Sequence, residues 1–169
     1  RPTEPRSPKA PLAPHAPQRN PPQRCDLFAV AAPGLEDALL AEAAALPGVT
    51  AVGGVTALPM STVGVDFMRP CWPEGETAEE ARGKGADIRM ATPGYFRALG
   101  IPLKAGRLFE KTDGEDAPRV VLVNEALARK AFPLGAVGKR LVIDYQAGAY
   151  PYEIVGVVGD TRFAGPRAE

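Results

Sequence analysis

One stretch, Met90–Arg107, constrains the fold more than any other, because it carries signals for a strand end, a short helix and a sharp exit. Thr92 suits a helix N-cap, and Pro93 suits the first helical position, where its missing N–H is not needed. Gly100 lies where a helix usually ends in a left-handed residue, and Pro102 prevents continuation. Three apolar side chains share one helical face: Tyr95, Phe96 and Leu99. Without a nucleophile, acid–base pair or metal-ligand set, this stretch is interpreted as a packing device.

The charge balance argues against a nucleic-acid partner. Lysine plus arginine and aspartate plus glutamate number 20 each in the 169 residues, so no net field favours nucleic acid or an anionic membrane. The length suits one domain with a real core. Apolar runs extend over only a few residues, so no transmembrane helix is predicted. The start, Arg1-Pro-Thr, has neither an initiator Met nor a signal peptide, which predicts a fragment or a processed piece.

Two cysteines, Cys25 and Cys71, are too few for a disulfide framework and lack the spacing of zinc ligands. In an oxidising compartment they could close a loop of about 45 residues, for about 3 to 4 kcal/mol by the loop-entropy relation. Two free thiols are the simpler alternative.

Residues 1–24 differ in composition from the rest, because prolines recur at every third position from Pro2 to Pro17. This period matches polyproline II, and the segment has almost no apolar bulk to bury. It is therefore predicted to be an extended, largely disordered arm. A ligand for a proline-binding module is the alternative, since PxxP recurs. His15, the one histidine, lies in this arm with no catalytic partner nearby.

The next segment predicts a compact βαβ unit over residues 26–57. A short apolar run, 26–32, predicts a strand, and residues 49–57 predict a second strand that pairs parallel through a right-handed crossover. Between them, residues 35–46 predict an amphipathic helix. Its apolar stripe consists of Leu35, Ala38, Leu39, Ala43 and Leu46.

The remainder predicts a strand-rich part with one further helix. Asn124 is a good N-cap for a helix over 125–132, which explains Asn124 and Glu125 better than a catalytic pair does. Trp72 lies in a proline-rich loop and is expected to pack back on the body, and the charged run 74–82 is expected to be solvated. The predicted strands are 63–68, 87–91, 119–123 and a hairpin of 140–145 with 152–158.

No constellation for catalysis or cofactor binding emerges from the residues. The acidic turn at Asp113 lacks the alternating oxygen ligands of a calcium loop, and Gly156-Val-Val-Gly159 lacks the third glycine of a dinucleotide fingerprint. A carboxylate hydrolase would need a common cleft for two of four residues. These are Asp66, Asp87, Asp113 and Asp160. The residues alone therefore indicate an α+β interaction or structural module.

Four segments, taken together, resemble the MacB-like periplasmic core domain of FtsX-type ABC transporter permeases. They are Thr92–Leu103 with Ala105–Phe109, Val120–Arg129, Val137–Arg140 and Tyr152–Asp160. Their order and spacing match, and the similarity covers roughly residues 26 to 165. The positions that match the family's motifs, all with structural roles, are Thr92, Pro93, Gly94, Tyr95, Phe96, Gly100, Gly106, Arg107, Asn124, Glu125, Gly138, Gly156, Gly159 and Asp160.

The resemblance implies a non-catalytic α+β domain without a cofactor, on the extracytoplasmic (periplasmic) face of a bacterial inner membrane. It would transmit ATP-driven conformational change outward, for export or mechanotransmission. The implied partners are the permease's own transmembrane helices, a cytoplasmic ABC ATPase, a second permease copy and a periplasmic adaptor, but no nucleic acid. Residues 25–165 would form the core domain, with 26–57 as a porter-like, ferredoxin-like half and about 60–155 as the distal part.

The chain also departs from the family pattern. A proline tract stands where the family has a membrane helix, and Glu169 precedes the family's second βα segment and its next membrane helix. A porter-like sheet without those strands predicts an exposed apolar edge near residues 27–30 and 49–52.

The alternative function, from a different class, is a stand-alone extracytoplasmic binding module. It would capture a small ligand or peptide in a groove beside Tyr95, Phe96 and Trp72. A buried aromatic cluster without an open cavity would count against it.

Overall fold

A computed structural model describes residues 25–31, 35–56, 58, 68–114, 116–145 and 147–161. The predicted arm at 1–24, most of the predicted strand at 63–68 and the residues after 161 lie outside this described part. The strands are β1 (Asp26–Val30), β2 (Met68–Pro73), β3 (Gly85–Ala91), β4 (Leu103–Gly106), β5 (Val120–Asn124), β6 (Arg140–Tyr145) and β7 (Gly148–Val158). The helices are α1 (Leu35–Ala44), α2 (Tyr95–Ala98) and α3 (Glu125–Ala131), and no described helix has the length and apolar content needed to cross a membrane.

Six strands close into a ring, in the order β7, β5, β1, β3, β2, β6 and back to β7. β1 pairs parallel with β3, β5 pairs parallel with β7, and the other ring neighbours are antiparallel. The length of β7 permits the closure, since its first half pairs with β6 and its second half with β5. β4 lies outside the ring, on the second half of β7. The fold is thus strand-rich α+β, as the sequence predicts.

The interior of the ring holds one apolar cluster. Side chains alternate between the two faces of a strand, so every second residue points inward. The ring contributes Leu27, Ala29, Cys71, Ala86, Ile88, Val121, Val123, Leu141, Ile143, Ile154 and Val157, and Leu127 of α3 and Ala136 complete the cluster.

A second apolar cluster covers the outer face of β1, β5 and β7. Phe28 on β1 is fully buried there against Tyr95 and Phe96 of α2. The other buried members are Ala91, Ile101, Phe109, Val120, Leu122, Val155 and Val158. Because α2 lies over this face, β1 is buried on both sides.

Several local predictions are confirmed. β1, β3, β5 and α3 lie within a residue or two of the predicted segments, and Trp72 is only 7% exposed. The predicted hairpin is present, with a longer second strand, because β7 begins at Gly148 and leaves only residues 146–147 between the strands.

The predicted strand at 49–57 is wrong within the described residues. Residues 49–54 are not in a strand, and Val55 makes only an isolated antiparallel bridge to Ala91. The reason is that Gly53 and Gly54 bring this segment backbone to backbone against the turn before α2, which competes with regular pairing. The parallel partner of β1 is therefore β3, across a longer crossover.

The exposed edge predicted at residues 27–30 is also wrong, because β3 and β5 flank β1 on both sides and Leu27 and Phe28 are fully buried. At the other predicted edge Val49 is 39% exposed, but no strand is present there. The helix at 35–46 is confirmed as α1. Its predicted apolar stripe is exposed at Leu39 and Leu46, which are 59% and 60% exposed, and residues 49–56 form no strand that could cover it.

β2 was not predicted, because Pro70 and Pro73 lie within it. The strand tolerates them because its two halves have different neighbours. Residues 68–70 pair with β3 only and residues 71–73 with β6 only, so each half has one open side, as proline requires.

Candidate functional site

The turn before α2 is fastened to the segment 52–54 by backbone contacts. Thr92 donates its N–H to the carbonyl oxygen of Gly54 at 3.0 Å, and its Oγ1 accepts the N–H of Gly54 at 2.8 Å. A Cβ on Gly94 would lie 2.0 Å from the carbonyl oxygen of Val52, and one on Gly53 would lie 2.2 Å from the nitrogen of Tyr95. Only glycine fits at either position, because the obstructing atoms belong to the backbone.

Thr92 is therefore not the helix N-cap that the sequence predicts. α2 begins at Tyr95, and Gly94 occupies the N-cap position without a side-chain cap. Thr92 is used instead to bind Gly54, and Pro93 lies in the turn rather than in the first helical position. Gly100 has φ +65°, so the predicted left-handed helix end is confirmed.

The aromatic side chains after this turn form a closed cluster. The Phe28–Phe96 and Tyr95–Phe96 ring centroids lie 5.1 and 5.2 Å apart, and Phe109 completes the cluster at 6.0 Å from Phe96. Tyr95 is 2% exposed and Phe96 is fully buried, whereas Leu99, expected on the same face, is 48% exposed. The burial of these aromatics counts against a ligand groove beside them.

A surface cleft of about 570 Å³ lies where β7 changes neighbour from β6 to β4, and we call it the seam cleft. Its lining includes Gly106, Arg107, Val137 and Gly138. Gly138 also donates its N–H to the carbonyl oxygen of Ile154, another lining residue, at 2.8 Å. Motif residues from three separate segments thus meet at this seam.

Close backbone contact explains two glycines, Gly106 in the lining of the seam cleft and Gly156 on β7 next to it. A Cβ on Gly106 would lie 2.2 Å from the carbonyl oxygen of Val155, and one on Gly156 would lie 2.3 Å from that of Arg107. Arg107 donates to both carboxylate oxygens of Asp113, at 2.6 and 2.9 Å. Its guanidinium holds the pKa of the Asp113 carboxyl below the usual range.

The N-terminus of α3 gathers a third set of motif residues. Asn124 caps the helix as predicted, its Oδ1 accepting the N–H of Leu127 at 3.0 Å. Asp160 accepts the N–H of Ala126 at 2.8 Å and pairs with Arg129 at 3.1 Å. A carboxylate here is favourable, because the helix dipole is positive at this end.

The remaining motif residues have supporting contacts. The N–H of Gly159 donates to the carbonyl oxygen of Pro102 at 2.8 Å, which ties the end of β7 to the exit from α2. Glu125 lies 3.6 Å from Lys104 in a half-exposed ion pair.

A buried polar network, which the sequence analysis missed, underlies the N-cap of α3. Asp26 is fully buried and accepts a hydrogen bond from Arg89 at 2.7 Å. Asn124 donates to the other oxygen of Asp26 at 3.3 Å. Burial raises the pKa of Asp26 to about 6, although Arg89 opposes the rise. The available signal was the alternation Asp87-Ile-Arg89 in β3, which indicates a solvated face unless another element covers it.

The carboxylates of the hydrolase alternative do not share a cleft among the described residues. Of the three that are described, Asp113 lines the seam cleft, Asp160 binds the first turn of α3, and Asp87 is 3% exposed beside Arg89. Asp66 lies outside the described residues. The described part of the chain also contains no group of three or more side chains placed to hold a metal ion.

Cys25 and Cys71 are free thiols. The strand register explains why: Asp26 pairs with Asp87 on β3, and β3 lies between β1 and β2, which carries Cys71. Two strand spacings of about 4.8 Å each exceed the Cα separation of about 4.4 to 6.8 Å that a disulfide requires.

A comparison with protein families agrees with the resemblance in the sequence. A family model described as the MacB-like periplasmic core domain matches residues 10–168. Among solved structures, the chain is similar to the periplasmic region of MacB from Actinobacillus actinomycetemcomitans, with 18% identity and a TM-score of 0.44. That match covers 83% of this chain and 65% of the other, so this chain spans less than two thirds of that region. No curated protein sequence matches.

Proposed function

The chain belongs to the MacB-like periplasmic core domain family, and from this premise we propose that it is the non-catalytic, extracytoplasmic domain of an ABC transporter permease. In this role it transmits conformational change, driven by ATP hydrolysis on a partner, across the membrane for export or mechanotransmission. The observation that carries the proposal is the family match over residues 10–168. Family membership supplies the class of machine and leaves the substrate open.

The fold supports the role of a rigid transmitting body. Six strands close on each other, so every strand of the ring is held by two neighbours, and β2 is held by β3 along its first half and by β6 along its second. Backbone hydrogen bonds and close glycine contacts hold the turn before α2 against residues 52–54, and hold the segments that line the seam cleft against β7. Force applied at one point would therefore move the body as a whole.

The proposed partners follow from the family. They are the transmembrane helices of the parent permease, a cytoplasmic ABC ATPase, a second copy of the permease and a periplasmic adaptor. The location is the extracytoplasmic face of a bacterial inner membrane. The proposed domain is residues 25–165, preceded by the proline-rich arm at 1–24. Division into a porter-like part at 26–57 and a distal part at about 60–155 also remains a proposal, in which β1 joins the two because it pairs with β3 and β5.

The test uses the parent permease with its ATPase, reconstituted in lipid nanodiscs. Genetically encoded spin labels replace Leu99 and Leu134, which are 48% and 100% exposed, and a third label is placed on a cytoplasmic loop. Nucleotide cycling is expected to change the distances from the domain to the cytoplasmic label, while the Leu99–Leu134 distance stays constant. A hydrolysis-deficient ATPase is the control.

An absence of ATP-dependent displacement would contradict the transmission role. Displacement that continued with the hydrolysis-deficient ATPase would contradict its link to ATP. A changed Leu99–Leu134 distance would refute the rigid body, though not the location.

A further inference from the structure

One buried carboxylate connects three neighbouring strands. Asp26 is the first residue of β1 and is fully buried. Its Oδ1 accepts from Nη1 of Arg89 on β3 at 2.7 Å, and its Oδ2 accepts from Nδ2 of Asn124 on β5 at 3.3 Å. A change in the charge of Asp26 therefore alters its hydrogen bonds to both neighbouring strands, β3 and β5.

The Arg89 guanidinium lies between two carboxylates. Asp26 and Asp87 are register partners on adjacent parallel strands, so their side chains project from the same face of the ring. Arg89 lies 2.7 Å from Asp26 and 4.0 Å from Asp87. A small side-chain movement would exchange the nearer partner for the farther one.

Asn124 links Asp26 to α3 through a single side chain. Its Oδ1 accepts both the N–H of Asp26 and the N–H of Leu127, each at 3.0 Å, while its Nδ2 donates to the Asp26 carboxylate. The amide that caps the helix is thus held in place by the group at the start of β1.

The surroundings bring the proton equilibrium of Asp26 towards neutral pH. Burial raises the pKa of Asp26 to about 6, Arg89 opposes the rise, and the charges of Asp87 and Asp160 add to it. The titratable or charged groups that face this site from the elements around it are Cys25 before β1, Asp87 and Arg89 on β3, Tyr95 of α2, Asp160 after β7, and Arg129 of α3, which pairs with Asp160.

We propose that Asp26 is a proton-binding site that couples the pH around the domain to the attachment of α3 to the strand ring. With Asp26 ionised, Arg89 and Asn124 both bind its carboxylate and the cap is fixed. A proton taken from solvent removes the charge, so Asp87 becomes the stronger partner of Arg89 and Asn124 loses a charged acceptor. The cap of α3 then loosens.

The test is an NMR titration of the whole chain between pH 4.5 and 8, following the backbone amide of Leu127. The expected midpoint is near pH 6, against an ordinary aspartate pKa of 3.8. Asp26→Asn keeps the shape of the side chain and is expected to abolish the transition. Asp160→Asn removes a different carboxylate of the same helix end and is expected to retain it.

A Leu127 transition that persists unchanged in Asp26→Asn would overturn the proposal, as would one that disappears only in Asp160→Asn. If Asp26→Asn does not fold, the wild-type protein still decides the question through the carboxyl ¹³C signal of Asp26. Titration of that signal near pH 6, together with the Leu127 amide, supports the coupling. A midpoint below pH 4.5 refutes it.

Discussion

Replacing Gly94 by alanine tests whether the turn before α2 is fastened by backbone contact. The added Cβ would lie 2.0 Å from the carbonyl oxygen of Val52, a distance that no side-chain movement can relieve. The turn and the segment 52–54 must therefore separate. Separation removes the two shorter hydrogen bonds between Thr92 and Gly54, at 3.0 and 2.8 Å.

The expected cost follows from those losses. Two hydrogen bonds contribute about 1 kcal/mol each. Displacement of Tyr95 and Phe96, which are 2% and 0% exposed, adds about 1 kcal/mol for partial loss of their burial. Gly94→Ala is therefore expected to lower the free energy of unfolding by about 2 to 4 kcal/mol, a urea midpoint lower by about 1 to 2 M at a typical slope.

The assay is urea unfolding followed by the fluorescence of Trp72, the one tryptophan, which is 7% exposed in the folded state. Gly114→Ala is the matched control, because a Cβ there meets nothing within 4 Å and the change should stay within about 0.5 kcal/mol. Gly53→Ala should cost as much as Gly94→Ala, and the double variant less than their sum, since both lose the same contacts. A Gly94→Ala variant as stable as the control, or full additivity, would refute the reasoning.

Three further outcomes follow from the contacts. Asn124→Ala should destabilise by about 2 to 4 kcal/mol in thermal unfolding, because it removes the acceptor of two buried N–H groups, those of Asp26 and of Leu127 in the helix cap. Glu125→Ala should stay within about 0.5 kcal/mol, and equal effects of the two changes would contradict this reasoning. Burial raises the pKa of Cys71 to about 12. Iodoacetamide should therefore modify it at least about tenfold more slowly than a solvent-exposed cysteine until the protein is unfolded, which mass spectrometry measures. Asp113→Asn should cost about 0.5 to 1 kcal/mol at pH 7, since its partner Arg107 is half exposed. The pKa of Asp113 is lowered from 3.8 in the folded state. The stability difference between wild type and Asp113→Asn is therefore present above pH 3.8 and must shrink as the pH falls below that value, and urea unfolding at pH 3 and pH 7 measures it.

The sequence predicted those elements that have a regular pattern of apolar residues, or that begin or end at a capping residue or a glycine. β5 is a run of β-branched residues followed by Asn124, and the cap and helix α3 follow as expected. Gly100 was predicted to be left-handed and has φ +65°. These features depend on neighbours within a few residues, which is why one sequence suffices to predict them.

Two other segments, β2 and residues 49–57, could not be predicted in this way. β2 contains prolines, and only the change of neighbour halfway along it makes them acceptable. Residues 49–57 have strand-forming composition, but the backbone of Gly53 fits closely against a turn about 40 residues later. In both cases a contact distant in sequence decides the structure over local propensity.

The candidate sites differ in the same way: some were predicted from local sequence, and one depends on contacts distant in sequence. The sequence singled out residues at the turn before α2, at the seam cleft and at the N-terminus of α3, but gave no reason to expect Asp26 and Arg89 to be buried together. β3 alternates polar and apolar residues from Asp87 to Arg89, which indicates a solvated face, and Asp26 is the one polar residue of β1. That face is covered by α2, whose position depends on the glycine contact at Gly94.

The chain enters the ring at β1 and leaves it at β7, and both points meet at the first turn of α3. The N–H of Asp26 donates to the side chain of Asn124, and Asp160 accepts the N–H of Ala126. In a permease whose domain lies between two membrane helices, force from both helices would arrive at this one junction. In the proposed transmission role, a rigid ring would not absorb that force by bending, and the stiffness of the junction would decide how much motion reaches the distal part. The proton equilibrium proposed for Asp26 acts at this place, and it would therefore adjust the transmission itself rather than any remote part of the domain.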